Sequence, residues 1–201
     1  MYIEAIVIGL IIGLIRNGRI SNFGEVRFKG WPLAIAAFFC FIIPYGLGIF
    51  GIPFESPQIF PFAAMGIIVL LALANHDRMG MKLIALGTIL NMVAMAPNYF
   101  LMPLDLSLMN SLGYGSFVSS VTDGSVVNYI DAAQAVPWTV YFGKFFALPA
   151  AYPLSRALSI GDVAVSLGVL LLIQSEMRLF SGRYRGSTVQ FSYRSKIGKR
   201  F

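Results

Sequence analysis

Five apolar stretches, only sparsely interrupted by charge, dominate the chain: roughly Tyr2–Ile15, Pro32–Phe50, Ile59–Ala74, Lys82–Ala96 and Ile160–Ile173. Runs of this kind restrict what the chain can fold into, because a soluble protein must cover its surface with polar groups. Only 12% of the residues are charged against 57% apolar, and the mean hydropathy is +0.75. A soluble domain is nearer a quarter charged. The composition predicts an all-α integral membrane helical bundle of about five transmembrane helices. Most of the runs are shorter than the roughly 20 residues of a usual span. They are expected to borrow polar ends, with Arg16, Arg19 and Lys82 reaching toward headgroups.

Basic residues set an orientation. All but Lys144 and Arg156 of the lysines and arginines fall in the first loop, the third loop or the tail. The opposite side collects Glu55, Asp105, Asp123 and Asp131. The excess of Lys and Arg marks the cytoplasmic face. This predicts the N-terminus outside, the C-terminus in the cytoplasm and five spans. Residues 1–177 are expected to form a single transmembrane domain, and residues 178–201 a basic cytoplasmic tail. The bilayer is the expected partner throughout. The tail's charges suit anionic headgroups, each worth on the order of 1 kcal/mol near the surface, and nucleic acid is not expected. Glu4 stands where a signal peptide would carry positive charge, so "MYIEAIVIGLIIGLIRNGR" reads as a retained helix.

Boundary signals are mixed. Ser56-Pro57 is a start signal for the third run, with serine capping and proline in the first turn. Pro97 closes the fourth run, and Pro44 predicts a kink in the second. The outer connection, residues 98–153, is too long to be structureless. Within it "VPWTVYFGKFFALP" spaces Trp138, Tyr141, Phe142, Phe145 and Phe146 along one helix face. That pattern predicts an outer interfacial or re-entrant helix over 136–149, or a loop helix packed on the protein itself.

Small residues mark helix contacts. Ala5, Gly9 and Gly13, with Asn17 next in the row, line one face of the first helix. Gly161, Ala164 and Gly168 do so on the last. Such stripes let helix backbones approach closely in lipid, within the chain or in a dimer. The fourth run carries Gly87, Asn91, Ala94 and Asn98 on one stripe with Thr88 beside it. A buried asparagine there needs a partner, which is either an interhelical hydrogen bond or a solute contact. In "SIGDVAVSLG", Ser159 and Asp162 have the spacing of a capping box. An acidic residue in a span otherwise marks an ion path or a proton relay.

Chemistry for catalysis is not apparent. His76 is the sole histidine and Cys40 the sole cysteine, so zinc or haem ligation is not expected, and neither is any other metal or cofactor. "NHDR" at 75–78 reads as a solvated turn rather than a catalytic dyad. No nucleophile elbow, phosphate loop or zinc-protease spacing occurs. The expectation is a non-enzymatic membrane subunit or scaffold packing with a membrane-protein partner. The alternative is a small-solute, ion or lipid transporter with a polar path near Asn91, Asn98 and Asp162.

Three stretches in order, "LIRNGRISNFGEVRFKGWPL", "MGMKLIALGTILNMVAMAPNYFLMP" and "PLSRALSIGDVAVSLGVLLLIQ", resemble an uncharacterised family of small bacterial polytopic integral membrane proteins. The resemblance reaches to about Arg178. It implies a bacterial cytoplasmic membrane location and brings no established activity. This chain has Asn98-Tyr99-Phe100-Leu101 where relatives tend to have a glycine-containing asparagine turn before Met-Pro. Its central outer loop also diverges, and the basic tail is an extension.

Overall fold

The computed structural model describes residues 2–51, 54–126, 128–147 and 157–183. It is mostly helical. Five apolar helices carry it: α1 (Tyr2–Ile15), α2 (Trp31–Ile49), α3 (Ile59–Ala74), α4 (Met81–Met95) and, late in the chain, α7 (Ile160–Arg183). Three stretches are long and apolar enough to cross a membrane: Trp31–Ile49, Met81–Asn98 and Ile160–Arg178. At 14 and 16 residues, α1 and α3 reach only about 21–24 Å at 1.5 Å per residue, so three of the five expected spans have the length of a crossing helix by themselves.

Helices pack in the order α2–α3–α4–α7–α1, with no extended contact joining α1 to α2. The two most extensive pairings share α7, which lies between α4 and α1. Helix α1 runs parallel to α7, since Gly9 meets Ile173 and Gly13 meets Met177. Helix α4 runs antiparallel to it. Built onto Gly87, a Cβ would lie 2.5 Å from the Gly161 carbonyl oxygen, and on Gly168 it would lie 2.7 Å from that of Gly80. The glycine stripes therefore face one another inside this chain. Gly80 has φ 87°, a conformation glycine adopts without a Cβ penalty, and it starts α4 directly against α7.

Several local expectations change. Ser56 provides only a backbone carbonyl, to the Ile59 amide, and Gln58 is the cap of α3 without a side-chain bond. The continuity of α2 does not change, since the helix runs unbroken through Pro44. Asn17 lies past the end of α1 at φ 62°, so the small-residue row stops at Gly13. Helix α7 continues past Ile173 to Arg183, so the expected domain boundary at residue 178 falls inside a helix. The tail beyond 183 lies outside the described residues.

The lower end of the bundle, where α7 finishes, is tied by polar side chains. Arg78 donates to Glu176 Oε1 at 2.6 Å, lies 4.8 Å over the Phe28 ring and reaches the Arg27 carbonyl. Glu176 is 2% exposed. Asn75 clasps both the amide and the carbonyl of Lys29 at 2.8 Å. Asn22 and the Arg19 amide both donate to the Met177 carbonyl. "NHDR" is thus a solvated turn only at His76 and Asp77, because its outer two residues are structural. Arginine and glutamate at sequence separation 98 carry no local signal of pairing.

The long connection folds into a cap over the upper end. After a 3-10 turn at Ala96–Asn98 come β1 (Met102–Leu104), α5 (Leu106–Ser111), α6 (Gly115–Thr122) and β2 (Tyr129–Asp131). A 3-10 turn at Pro137–Phe142, β3 (Phe146–Ala147) and β4 (Ala157–Leu158) follow. Strands β1 and β2 pair in parallel, Lys144 bridges the other edge of β1, and β3 and β4 pair antiparallel. Asp105 caps α5 by accepting the Leu108 amide at 2.9 Å. That bond, and then the Ser107 hydroxyl, hold its carboxyl below the usual range. The cap's α5 start therefore gains from Asp105 above the ordinary carboxylate pKa and loses that support as pH falls through the lowered value.

Over 136–147 the aromatic segment forms a 3-10 turn and the short β3 in place of the single helix expected over 136–149, and the chain remains mostly helical with short strands in the cap. Residues 148 and 149 lie outside the described residues. The reason is visible at the residues between the aromatics. Thr139 is fully buried, and a Cβ at Gly143 would sit 2.8 Å from the Pro103 carbonyl oxygen. The Lys144 amide donates to that same carbonyl at 2.8 Å. Trp138, Tyr141 and Phe146 are instead exposed. Backbone pairing with β1 outweighs the helical spacing of the rings.

Candidate functional site

Asp162 is 5% exposed in the first turn of α7, and each of its carboxylate oxygens is doubly engaged. Oδ1 accepts the Tyr2 hydroxyl at 2.6 Å and Asn91 Nδ2 at 3.0 Å. Oδ2 accepts the Ser159 amide at 3.2 Å and lies 3.3 Å from Lys144 Nζ. The Asp162 amide donates back to Ser159 Oγ at 2.9 Å, so both halves of the capping box are present. Ser159 Oγ in turn donates to Asn91 Oδ1 at 2.6 Å. Capping explains one oxygen in part. The remaining partners come from α1, α4 and the cap, so one carboxylate joins four parts of the fold.

Each partner is placed by local structure. Tyr2 begins α1, which follows α7 in parallel and so brings its first turn to α7's first turn. Asn91 lies one turn beyond Gly87, where the missing side chains of Gly87 and Gly161 let α4 and α7 meet. Lys144 is aimed by its bridge to β1. Burial works against the Lys144 ammonium, yet Tyr129 and Asp162 beside it raise its pKa above the usual lysine value.

A cavity of about 610 Å³ adjoins this cluster. Its walls include Phe41 of α2, Met65 and Ile68 of α3, Thr88 and Asn91 of α4, and Val165 of α7. Tyr2, Tyr129, Lys144 and Asp162 close its upper end. It is therefore apolar along its length and polar at one end. Both α1 and α2 contribute to the lining, although neither packs extensively on the other. The two terminal helices of the row thus each bring a residue, Tyr2 and Phe41, to the same cavity.

Asn98 belongs elsewhere. It donates from Nδ2 to the Ala94 carbonyl and to Thr139 Oγ1, both at 2.8 Å, and accepts the Val136 amide at 2.8 Å. It fastens the cap to α4 and lies outside the cavity lining. Asn98→Ala is expected to strand the part-buried Val136 amide, at about 1–3 kcal/mol, while the Thr139 hydroxyl keeps its bond to the Val136 carbonyl. Proteolysis within the cap should quicken while α1–α4 stay protected. Unchanged cleavage would refute this role.

The next two residues hold a strained turn. Tyr99 and Phe100 have φ 53° and 64°, the left-handed region that bulky side chains disfavour by about 1–2 kcal/mol per residue. Tyr99 is 80% exposed and has little packing to lose. Tyr99→Gly should raise stability by roughly 0.5–1 kcal/mol after glycine's entropic cost, read as a higher melting temperature. A lower one would contradict it.

Of the residues singled out from sequence, Asn91, Ser159 and Asp162 meet in the cluster. Gly161 makes their approach possible, Gly9 and Gly13 face α7, and Gly168 faces α4. Tyr2 and Lys144 were missed. Lys144 did carry a signal: it is a rare basic residue on an acidic side, and a buried carboxylate calls for a counter-ion. Among the described residues, no cluster of three or more His, Cys, Asp or Glu side chains could hold a metal ion.

The family of unknown function DUF5317 matches residues 25–174. The chain belongs to that family. No curated protein and no solved structure matches it. The matched span of this DUF5317 member covers α2 to most of α7, including Asn91, Lys144, Ser159 and Asp162. Tyr2 and the rest of α1 lie before it.

Proposed function

We propose that this DUF5317 protein is a non-enzymatic multi-pass protein of the bacterial cytoplasmic membrane that binds an amphipathic small molecule from the side. The cavity carries this reading. It pairs an apolar interior with one polar end, its lining reaches both terminal helices of the row, and in this reading it opens between them, where no extensive packing intervenes. Entry from the hydrocarbon phase suits such an opening, because an apolar ligand need never cross water. In this reading α1–α4 and α7 all span, with the short α1 and α3 accommodated by local thinning or snorkelling ends. The N-terminus is outside and the tail is cytoplasmic, as the distribution of basic residues favours. The cluster around Asp162 then lies at the outer end of the bundle.

The test is lipid mass spectrometry on protein extracted directly into polymer nanodiscs. The wild type should carry one amphiphile above its share of the surrounding bilayer. Met65→Trp, which fills the cavity wall, should lose that enrichment while remaining folded. Identical lipid profiles would sink the reading.

A second reading, a membrane subunit packing with a partner, is favoured by α2. Only 6% of that helix is buried, and it packs extensively on α3 alone. Mild-detergent pull-down that brings down a stoichiometric partner, abolished by changes on α2, would support it over the first.

A further inference from the structure

If the cavity holds a ligand as proposed, its polar end also specifies the ligand's head. We infer that the cavity selects an amphiphile with an uncharged hydroxyl or carbonyl head over one with a charged head.

The argument is an inventory of what the cluster has left to offer. Lys144 and Asp162 are the charged side chains on the cavity lining, and they are paired with each other at 3.3 Å. A carboxylate has roughly four acceptor sites, and those of Asp162 are occupied by Tyr2, Asn91, Ser159 and Lys144. The ammonium has Asp162 on one side, the Ala157 carbonyl at 3.5 Å, and Tyr129 beneath it. Neither charge is available to a ligand without breaking the pair.

What remains is neutral. Asn91 commits one Nδ2 hydrogen to Asp162 and its Oδ1 to Ser159, leaving a second amide hydrogen. Thr88 donates its proton to the Ile84 carbonyl at 2.7 Å, leaving an oxygen that can accept. Tyr2 likewise has donated its proton and keeps a lone pair. With the Asn128 amide and the Tyr129 hydroxyl, which also line the cavity, these uncharged donors and acceptors match a hydroxyl or a carbonyl. An anion or cation would enter with no counter-charge and would be desolvated without compensation, which is costly in an apolar enclosure.

Three probes of equal chain length test this: 1-dodecanol, dodecanoate and dodecyltrimethylammonium. Each is titrated against the full chain, and adducts are counted by native mass spectrometry. Wild type should bind dodecanol about tenfold or more tighter than either ion. Lys144→Met should shift preference toward the ammonium probe, and Asp162→Asn toward dodecanoate. If wild type binds either ion as well as the alcohol, the inference about the head is overturned while the cavity reading stands. If none of the three binds, both fall. The wild-type comparison decides the matter even where a variant folds poorly.

Discussion

Replacing Arg78 with methionine is expected to lower stability by about 3–5 kcal/mol, the cost of leaving a buried charge without its partner. Glu176 is 2% exposed and its carboxylate faces Arg78 at 2.6 Å. Arg78 also stacks over Phe28 and holds the Arg27 carbonyl, so one side chain gathers the first connection, the α3–α4 turn and α7. Removing both charges in Arg78→Met/Glu176→Met should recover most of the loss, because well-packed apolar replacements of a buried pair are often neutral or better. Unfolding in mixed micelles would measure this. A double variant as unstable as Arg78→Met alone would mean that packing, and not the unpaired charge, dominates at this site.

Gly87→Ala should be nearly as damaging. The added Cβ would meet the Gly161 carbonyl oxygen at 2.5 Å and the Val165 amide nitrogen at 2.7 Å. Both are backbone atoms of a helix and cannot rotate away, so α4 and α7 must separate. Overpacking costs about 1–3 kcal/mol and more when no relaxation is open, and this contact has none. The separation would also pull Asn91 from Asp162, so ligand binding should weaken with stability. Gly46→Ala in α2 is the control. Nothing lies within 4 Å of that position, and alanine should gain roughly 0.5–1 kcal/mol over glycine in a helix interior. Equal losses at both positions would show that the α4–α7 contact is not the weak point.

The apolar helices were legible because their signal is local. A run of apolar residues bounded by charge, glycine or proline reads the same in isolation as in the fold, and the residue limits of α1 and α3 match those expected from sequence. The glycines of α1, α4 and α7 were legible as contact faces, since a backbone approach needs a missing side chain whatever the partner. The capping box at Ser159 and Asp162 is local too, spanning a single helical turn. The aromatic spacing in residues 136–149 misled because helical periodicity is only a pattern of side chains. It says nothing of a neighbouring strand that offers its carbonyls, as Pro103 does to Lys144.

By itself, then, the sequence determined the helices, the faces by which they approach, and the presence of a costly carboxylate at the start of the last one. Tertiary structure decided what that carboxylate is for. Tyr2, Asn91 and Lys144 stand 160, 71 and 18 residues from Asp162. No local preference links them. They meet because α1 runs parallel to α7, because two glycines let α4 close on it, and because a bridge to β1 aims a lysine downward. The cavity has the same origin, since its walls come from all five apolar helices and from the cap.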